Sequence, residues 1–550
     1  MKHGNLMMVL HAHLPFVRHP EFSRFLEETW LFEAISETYL PLLRMLDGLE
    51  RDGIYSRLCL SISPTLVSML ADTTLGDRYL GHLERLKTLG EKELERTANN
   101  PQEHSLALMY YDFFRAASDD FVHRYNRNIP AALARHADQG RLELVTTFAT
   151  HPYMPLYEHY RENARSQLRV ALDTHTRFFG RPPSGFWLPE CGYSPGIEDL
   201  LEQADIRFFF TASHGLLFAE ERPHNGVYAP VRCPNGVYAF GREMASTEAV
   251  WSNRSGYPGD PVYRDFYRDI GHDLPDDYIS GVVHSSEVRA NTGFKYHAIT
   301  GDTDEKQLYR PEEANRRVYS HSDNFLFKQV RQCRTVAEHM DRDPLVVSIF
   351  DAELFGHWWF EGMQWLDSLF RRMHDASENS EDRVEPVTPS EYLSHHPEAQ
   401  TLQPAFSSWG NKGYSEVWLD GSNDWIYRYT HKAIERMIDL VERYPAETGL
   451  KRRALNQAAR EVLLSQASDW PFIMRSGTTV TYAVRRVEEH ISNFTHIYDS
   501  LSRGVISTEW LTRVERRNNI FPDIDYRMFA PDGSDAFSDP ATNLWVHSRA

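Results

Sequence analysis

Short apolar runs recur along the chain, and several end abruptly in polar residues. Asn5–Leu10 ends in His11-Ala-His13, Leu58–Ile62 in Ser63-Pro-Thr65, and Leu142–Phe148 in Thr150-His151. Gly185–Leu188 ends in Pro189-Glu190-Cys191, Arg207–Phe210 in Thr211-Ala-Ser-His214, and Leu345–Phe350 in Asp351-Ala-Glu353. Near-continuous apolar runs of this length predict strands buried on both faces, as in a parallel sheet. Helical spacing lies between several of them, at Leu40–Leu49 and Asn163–Phe179. Alternating strand and helix predicts βα units. Polar residues at many strand ends point to a barrel, whose loops gather at one face. An open doubly wound sheet would carry a glycine-rich loop after its first strand; here that strand runs into His-Ala-His.

Two stretches break this alternation. Residues 72–112 are charged and helical, then loop-like, and predict a small inserted helical subdomain. Residues 376–402 are polar with spaced prolines and read as a linker or surface excursion. Beyond them Trp425–Tyr444, Lys451–Ser468 and Thr479–Arg503 have helical spacing and good helix formers, so 403–550 reads as a C-terminal helical domain. A barrel over 1–400 fills the remainder.

Bulk composition narrows the function classes. A formal net charge of −19 disfavours phosphate backbones and anionic membranes but leaves a neutral polymer unaffected. No stretch approaches the roughly 20 apolar residues of a membrane span. Cys59, Cys191, Cys233 and Cys333 lie far apart, with no CxxC pair, so neither a disulfide framework nor a zinc ribbon is expected. The first residues have too short an apolar run for a signal peptide. The expectation is a soluble, unprocessed, cytoplasmic protein. Aromatics make up 13%, with 12 Trp; flat rings fill cores, and they also stack on sugars.

Two segments concentrate chemistry. In Gly185-Phe-Trp-Leu-Pro-Glu190-Cys-Gly-Tyr-Ser-Pro-Gly196, prolines and glycines fix the backbone around a carboxylate at a strand end. In Asp351-Ala-Glu353-Leu-Phe-Gly-His357-Trp-Trp359, two carboxylates, a histidine and two tryptophans follow a buried strand. Apolar neighbours raise a carboxyl pKa, as a general acid near neutrality requires. Two carboxylates on different strand ends suit glycoside cleavage: one attacks the anomeric carbon, the other protonates the departing oxygen. In retaining enzymes they stand about 5–5.5 Å apart. A third cluster, His11, His13 and His151, leaves an alternative open. Two histidines with Asp351 would suit zinc, as in a metal-dependent deacetylase or amidohydrolase. A glucan-binding protein without catalysis is a further alternative, opposed by the two retained carboxylates. Asp469-Trp470 ends an amphipathic helix, either as a cap and domain anchor or as a sugar contact; Trp251, Trp409, Trp418 and Trp425 are further candidate sugar platforms.

Five segments in order resemble glycoside hydrolase family 57: His11-Ala-His13-Leu-Pro, Thr147-Phe-Ala-Thr-His151, Trp187-Leu-Pro-Glu190-Cys-Gly-Tyr193, Asp351-Ala-Glu353-Leu-Phe-Gly-His357-Trp-Trp359, and Ala467-Ser-Asp469-Trp470-Pro. The resemblance implies an incomplete (β/α)7 barrel with a small helical insertion and a C-terminal helical domain closing the cleft. It implies a retaining double displacement on α-1,4-glucan without metal or cofactor, Glu190 being nucleophile and Asp351 general acid/base. His11, His13, His151, Trp251 and Asp469 match sugar-site positions. Glu353, His357, Trp359, Trp409, Trp418 and Trp470 complete the expected substrate-binding set. The subgroup it most resembles is the 1,4-α-glucan branching enzymes and their amylase-like relatives. One departure stands out. Branching members commonly carry a longer, tyrosine-tipped loop before the position of Trp251. Here the stretch from His214 to Trp251 is short, and neither Tyr228 nor Tyr238 is clearly that tyrosine. Because water exclusion decides the acceptor, a short loop favours hydrolysis.

Overall fold

A computed structural model describes residues 4–252, 254–282, 291–379 and 383–531. Among the described residues nine strands form one curled sheet: β1 (Gly4–Ala12), β2 (Leu58–Ile62), β3 (Leu142–Thr147), β4 (Gly185–Trp187), β5 (Phe208–Thr211), β6 (Val231–Arg232), β7 (Tyr238–Gly241), β8 (Leu345–Asp351) and β9 (Val384–Pro386). Their order is β6-β7-β5-β4-β3-β2-β1-β8, and β9 pairs with the start of β1. Every ladder is parallel except β6 with β7. Seven parallel strands, β7 to β8 across the sheet, therefore make an incomplete (β/α) barrel. Among the described residues no ladder closes β7 on β8. The chain after β7 bridges that gap: the Glu243 amide donates to the Val347 carbonyl at 2.8 Å, and the Arg242 guanidinium to the Ile349 carbonyl at 3.2 Å.

Strand periodicity decides which side chains face the barrel interior. Met7 and Val9, Leu345, Val347 and Ile349, with Cys59, Val145, Trp187, Phe208, Phe210 and Phe240, pack as one interior cluster. Their alternates, such as Leu6, Met8, Leu10, Val346 and Phe350, join the larger core beneath the surrounding helices. His11 and Asp351 continue the inward parity and stand opposite each other in the β1–β8 register. Packing inside is close. A Cβ added to Gly185 would sit 2.1 Å from the Phe208 ring, so Gly185→Ala is expected to cost about 1–3 kcal/mol, read as a lower denaturation midpoint.

Between β2 and β3 the helices Thr73–Arg96 and Pro101–Asp119 occupy the charged stretch. Asp72 and Asn100 cap them by accepting from the amides of Leu75 and Glu103, and proline opens the second. After the sheet, Trp425–Arg443, Gly449–Leu464, Asp469–Ser476, Val480–Arg503 and Thr508–Arg517 form the C-terminal helical region. The stretch 376–402 is not simply a linker: it contains β9 and the helix Pro389–His395. Among the described residues no helix is long and apolar enough to cross a membrane.

Candidate active site

The strand ends deliver a cluster of ionisable groups to one mouth of the barrel. Glu190 follows β4 through Pro189 and adopts a left-handed backbone, φ 62°, as does Cys191 at φ 50°. Such conformations cost a non-glycine residue on the order of 1 kcal/mol each and persist only where surroundings hold them. Here Trp409 holds both ends. Its backbone amide donates to the Glu190 carbonyl at 2.8 Å, and its indole Nε1 to carboxyl Oε2 at 2.6 Å. The Ser468 hydroxyl donates to Oε1 at 2.7 Å. Both carboxyl oxygens thus have fixed donors.

The three histidines form a nearly parallel pile above Trp187. His11 lies 4.5 Å from the Trp187 ring and 4.9 Å from His151, and His13 lies 3.9 Å from His151. His11 Nδ1 meets Ser61 at 3.1 Å and its Nε2 meets His151 Nε2 at 2.8 Å. His151 Nδ1 meets Ser468 at 2.8 Å; His13 meets Ser63 at 2.8 Å and Asp469 at 2.9 Å. Donor atoms of His13, His151 and Asp469 lie within 4.8 Å of one another, yet every ring nitrogen of the three histidines already has a protein hydrogen-bond partner.

Burial dominates the electrostatics. It pushes His11 and His151 well below the usual imidazole range, with the charge of His13 adding, so both rings are neutral. For His13 burial acts the same way, but Asp469, Glu190 and Glu353 together outweigh it and raise its proton affinity. Burial raises Glu190 to about 7; Ser468 and Trp409 oppose this, while Asp469 and Asp351 add to it. Burial raises Asp351 to about 6, against the opposing charges of Arg242 and His13. Glu353 is raised to about 7 by burial, opposed by the Tyr39 phenol that donates to it and reinforced by Asp351. Glu190 therefore feels the charge of Asp351 across the barrel mouth.

The other candidates separate into two groups. Trp409 and His151 touch the Glu190 environment directly, and Asp469 faces it electrostatically. His357 instead meets Glu37 at 2.5 Å. Trp359, Trp418 and Trp470 are only 2%, 1% and 1% exposed. Trp359 packs on Tyr263 and Trp365, Trp418 on Tyr153, and Trp470 donates to the Leu464 carbonyl at 3.0 Å. Trp251 ends the helix Met244–Trp251 and is 61% exposed. Sequence reasoning named Ser63 only as a polar strand end, carried Ser468 and Trp358 only inside motifs, and missed Ser61 and Arg242; Trp358 is exposed and stacks on Phe266 at 4.2 Å. Ser61 and Arg242 gave no local signal, since their partners are distant in the chain.

This barrel, with two partly buried carboxyls at its mouth, belongs to a defined class of carbohydrate-active enzymes. A family model described as Glycosyl hydrolase family 57 matches residues 7–404, and one described as 1,4-alpha-glucan branching enzyme, C-terminal, matches residues 429–529. The chain is a member of glycosyl hydrolase family 57. It is 30% identical to the 1,4-alpha-glucan branching enzyme TK1436 of Thermococcus kodakarensis, over 94% of this chain and 77% of that one. Among solved structures it is similar to the alpha-amylase AmyC of Thermotoga maritima, with 43% identity, TM-score 0.90 and coverage of 97% and 100%. It is also similar to the GH57-type branching enzyme of Pyrococcus horikoshii, with 30% identity, TM-score 0.86 and coverage of 96% and 97%.

Proposed function

We propose that this chain is a retaining 1,4-α-glucan branching enzyme, with Glu190 as nucleophile and Asp351 as general acid/base. The observation that carries the residue assignment is the asymmetry between two partly buried carboxyls at the ends of β4 and β8. Glu190 has a fixed donor on each oxygen, which favours the anion, whereas among the described residues the Asp351 side chain has no hydrogen-bond partner. Burial raises both carboxyls into the same range, about 7 and about 6, so the two fixed donors that orient Glu190, and not proton affinity, carry the assignment of roles. Glu190 attacks the anomeric carbon of an α-1,4 bond as Asp351 gives its proton to the departing sugar oxygen. Asp351, now ionised, takes a proton from the incoming 6-hydroxyl of a second glucan as that oxygen displaces Glu190 and forms the α-1,6 bond. The matched branching-enzyme C-terminal region and the branching enzymes among the relatives support transfer. An uncharged glucan also suits a surface of net charge −19. Buried, unpaired cysteines support a cytoplasmic setting.

One observation favours a second reading, an amylase-like hydrolase. The Tyr228 hydroxyl accepts from Gln332 at 2.8 Å, and Tyr238 donates to the Pro397 carbonyl at 2.6 Å. Both tyrosines of the short connection are thus engaged within the barrel wall. Amylose incubated with the protein and then debranched is expected to release new short chains. Reducing ends rising without such chains would select hydrolysis and remove the transfer claim.

A further inference from the structure

Three histidines in a sugar cleft invite the reading that all are sugar ligands, but every ring nitrogen of the three is hydrogen-bonded within the protein, and two of the rings join one chain. Starting at Ser61 on β2, the contacts run Ser61 Oγ to His11 Nδ1 at 3.1 Å, His11 Nε2 to His151 Nε2 at 2.8 Å, His151 Nδ1 to Ser468 Oγ at 2.8 Å, and Ser468 Oγ to Glu190 Oε1 at 2.7 Å. With Glu190 ionised, only one assignment of protons satisfies every contact. A carboxylate accepts, so Ser468 donates to it. Ser468 then accepts from His151, whose proton sits on Nδ1. A neutral His151 must accept at Nε2, so His11 carries its proton on Nε2 and accepts at Nδ1 from Ser61. All four donors point the same way, toward Glu190.

The scaffold holds this order in place. The Ser468 amide donates to the His151 carbonyl at 2.9 Å, and Pro152 bridges to Ala467, so the two peptides are locked beside their side-chain contact. His151 is itself in a left-handed conformation, φ 56°. Trp187 covers the face of His11 with planes 15° apart. Ser61, His11, His151 and Ser468 are each no more than 2% exposed, so water does not compete for their hydrogen bonds. Aligned hydrogen bonds in such surroundings polarise one another.

We propose that His11, His151 and Ser468 are positioning residues: they form, with Ser61, a one-directional hydrogen-bond chain that keeps Glu190 an oriented anion. The proposal rests on the reading of Glu190 as nucleophile. It also assigns the C-terminal region a direct part in the chemistry, because Ser468 enters the barrel from that region. Other groups face Glu190 as well: Asp351 from β8, Asp469 from the C-terminal helix, His13 from the β1 end, and Tyr153 and Cys191 from the loops after β3 and β4. These remain in each variant below, so a change in titration reports the chain.

The test is the pH dependence of kcat/KM on a short soluble α-1,4-glucan, which reports groups of the free enzyme. Glu190 must be ionised to attack, so its titration sets the acid limb. Removing a donor to the anion raises proton affinity, and Ser468→Ala is expected to move that limb upward by about one pH unit. Ser61→Ala, at the remote end, is expected to move it the same way by less. Ser468→Thr keeps the hydroxyl and is expected to restore the wild-type limb. A Ser468→Ala enzyme that is folded, slower and unshifted would overturn the proposal, as would a Ser61→Ala limb displaced downward. Should Ser468→Ala fail to fold, Ser61→Ala and Ser468→Thr decide alone: a Ser61→Ala limb in the wild-type position overturns the chain. Glu190→Gln separates the two levels. If that variant turns over normally, the nucleophile assignment falls. If it is inactive while the limb of the serine variants stays fixed, only the chain falls.

Discussion

Glu190→Gln is expected to lower turnover of amylose on the order of 10³-fold or more while leaving glucan binding in place. The carboxamide has nearly the same shape, so the sugar cleft keeps its walls. A carboxamide cannot form a glycosyl ester, and among the described residues no other carboxyl accepts from Trp409 and Ser468. Equilibrium binding of maltooligosaccharides and single-turnover kinetics measure the two halves of this expectation. Normal turnover would refute the assignment, and loss of binding would mean that Glu190 holds substrate. Stability supplies an independent readout. Burial raises Glu190 from 4.5 to about 7, so between these values the native state keeps a proton that the unfolded chain has released. Its contribution to stability therefore falls as pH rises through that window. Asp351 and Glu353, raised to about 6 and about 7, act in the same direction. Melting temperature is expected to drop from pH 5 to pH 7.5 in the wild type, and to drop less in Glu190→Gln.

Much of this site was legible in sequence because a buried parallel strand announces itself as an apolar run, and the residue after it is thereby placed at the barrel mouth. That logic located His11, His151, Glu190 and Asp351. It could not say what the three histidines bond to, since Ser61 and Ser468 come from other strands and from the far end of the chain. Tryptophan content was equally ambiguous. Trp358 and Trp359 are neighbours, yet the first is 52% exposed and the second is core. Sequence alone does not tell which ring of such a pair faces out. The polar stretch 376–402 misled by composition, because a three-residue strand and a seven-residue helix are too short to show periodicity. Its one local sign was a capping box, in which Thr388 accepts from the Glu391 amide and Glu391 reaches back to the Thr388 amide.

The second large effect is expected at Gly356, in the loop that follows Asp351. Residues Ile35–Tyr39 form a π-helical turn, a local widening that recurs at functional sites. Three consecutive side chains of this turn grip the loop that follows Asp351. Glu37 meets His357 Nδ1 at 2.5 Å, Thr38 donates to the Phe355 carbonyl at 3.0 Å, and Tyr39 donates to Glu353. Gly356 lies against the Glu37 backbone. Its φ is 99°, and an added Cβ would stand 1.8 Å from the Glu37 carbonyl oxygen, a backbone atom that cannot rotate away. Gly356→Ala must therefore push the loop off the turn. The expected cost is more than about 3 kcal/mol, the sum of overpacking and left-handed strain. Activity is expected to fall about 100-fold even in the folded fraction, because displacing a general acid by an ångström has that effect. Gly53→Ala isolates the conformational part: φ there is 73°, with nothing within 4 Å of the added carbon. That variant is expected to lose only about 1 kcal/mol and no activity. Denaturation midpoints and kcat for the pair separate strain from collision. Equal losses in the two would show that the π-turn does not fix the position of Asp351.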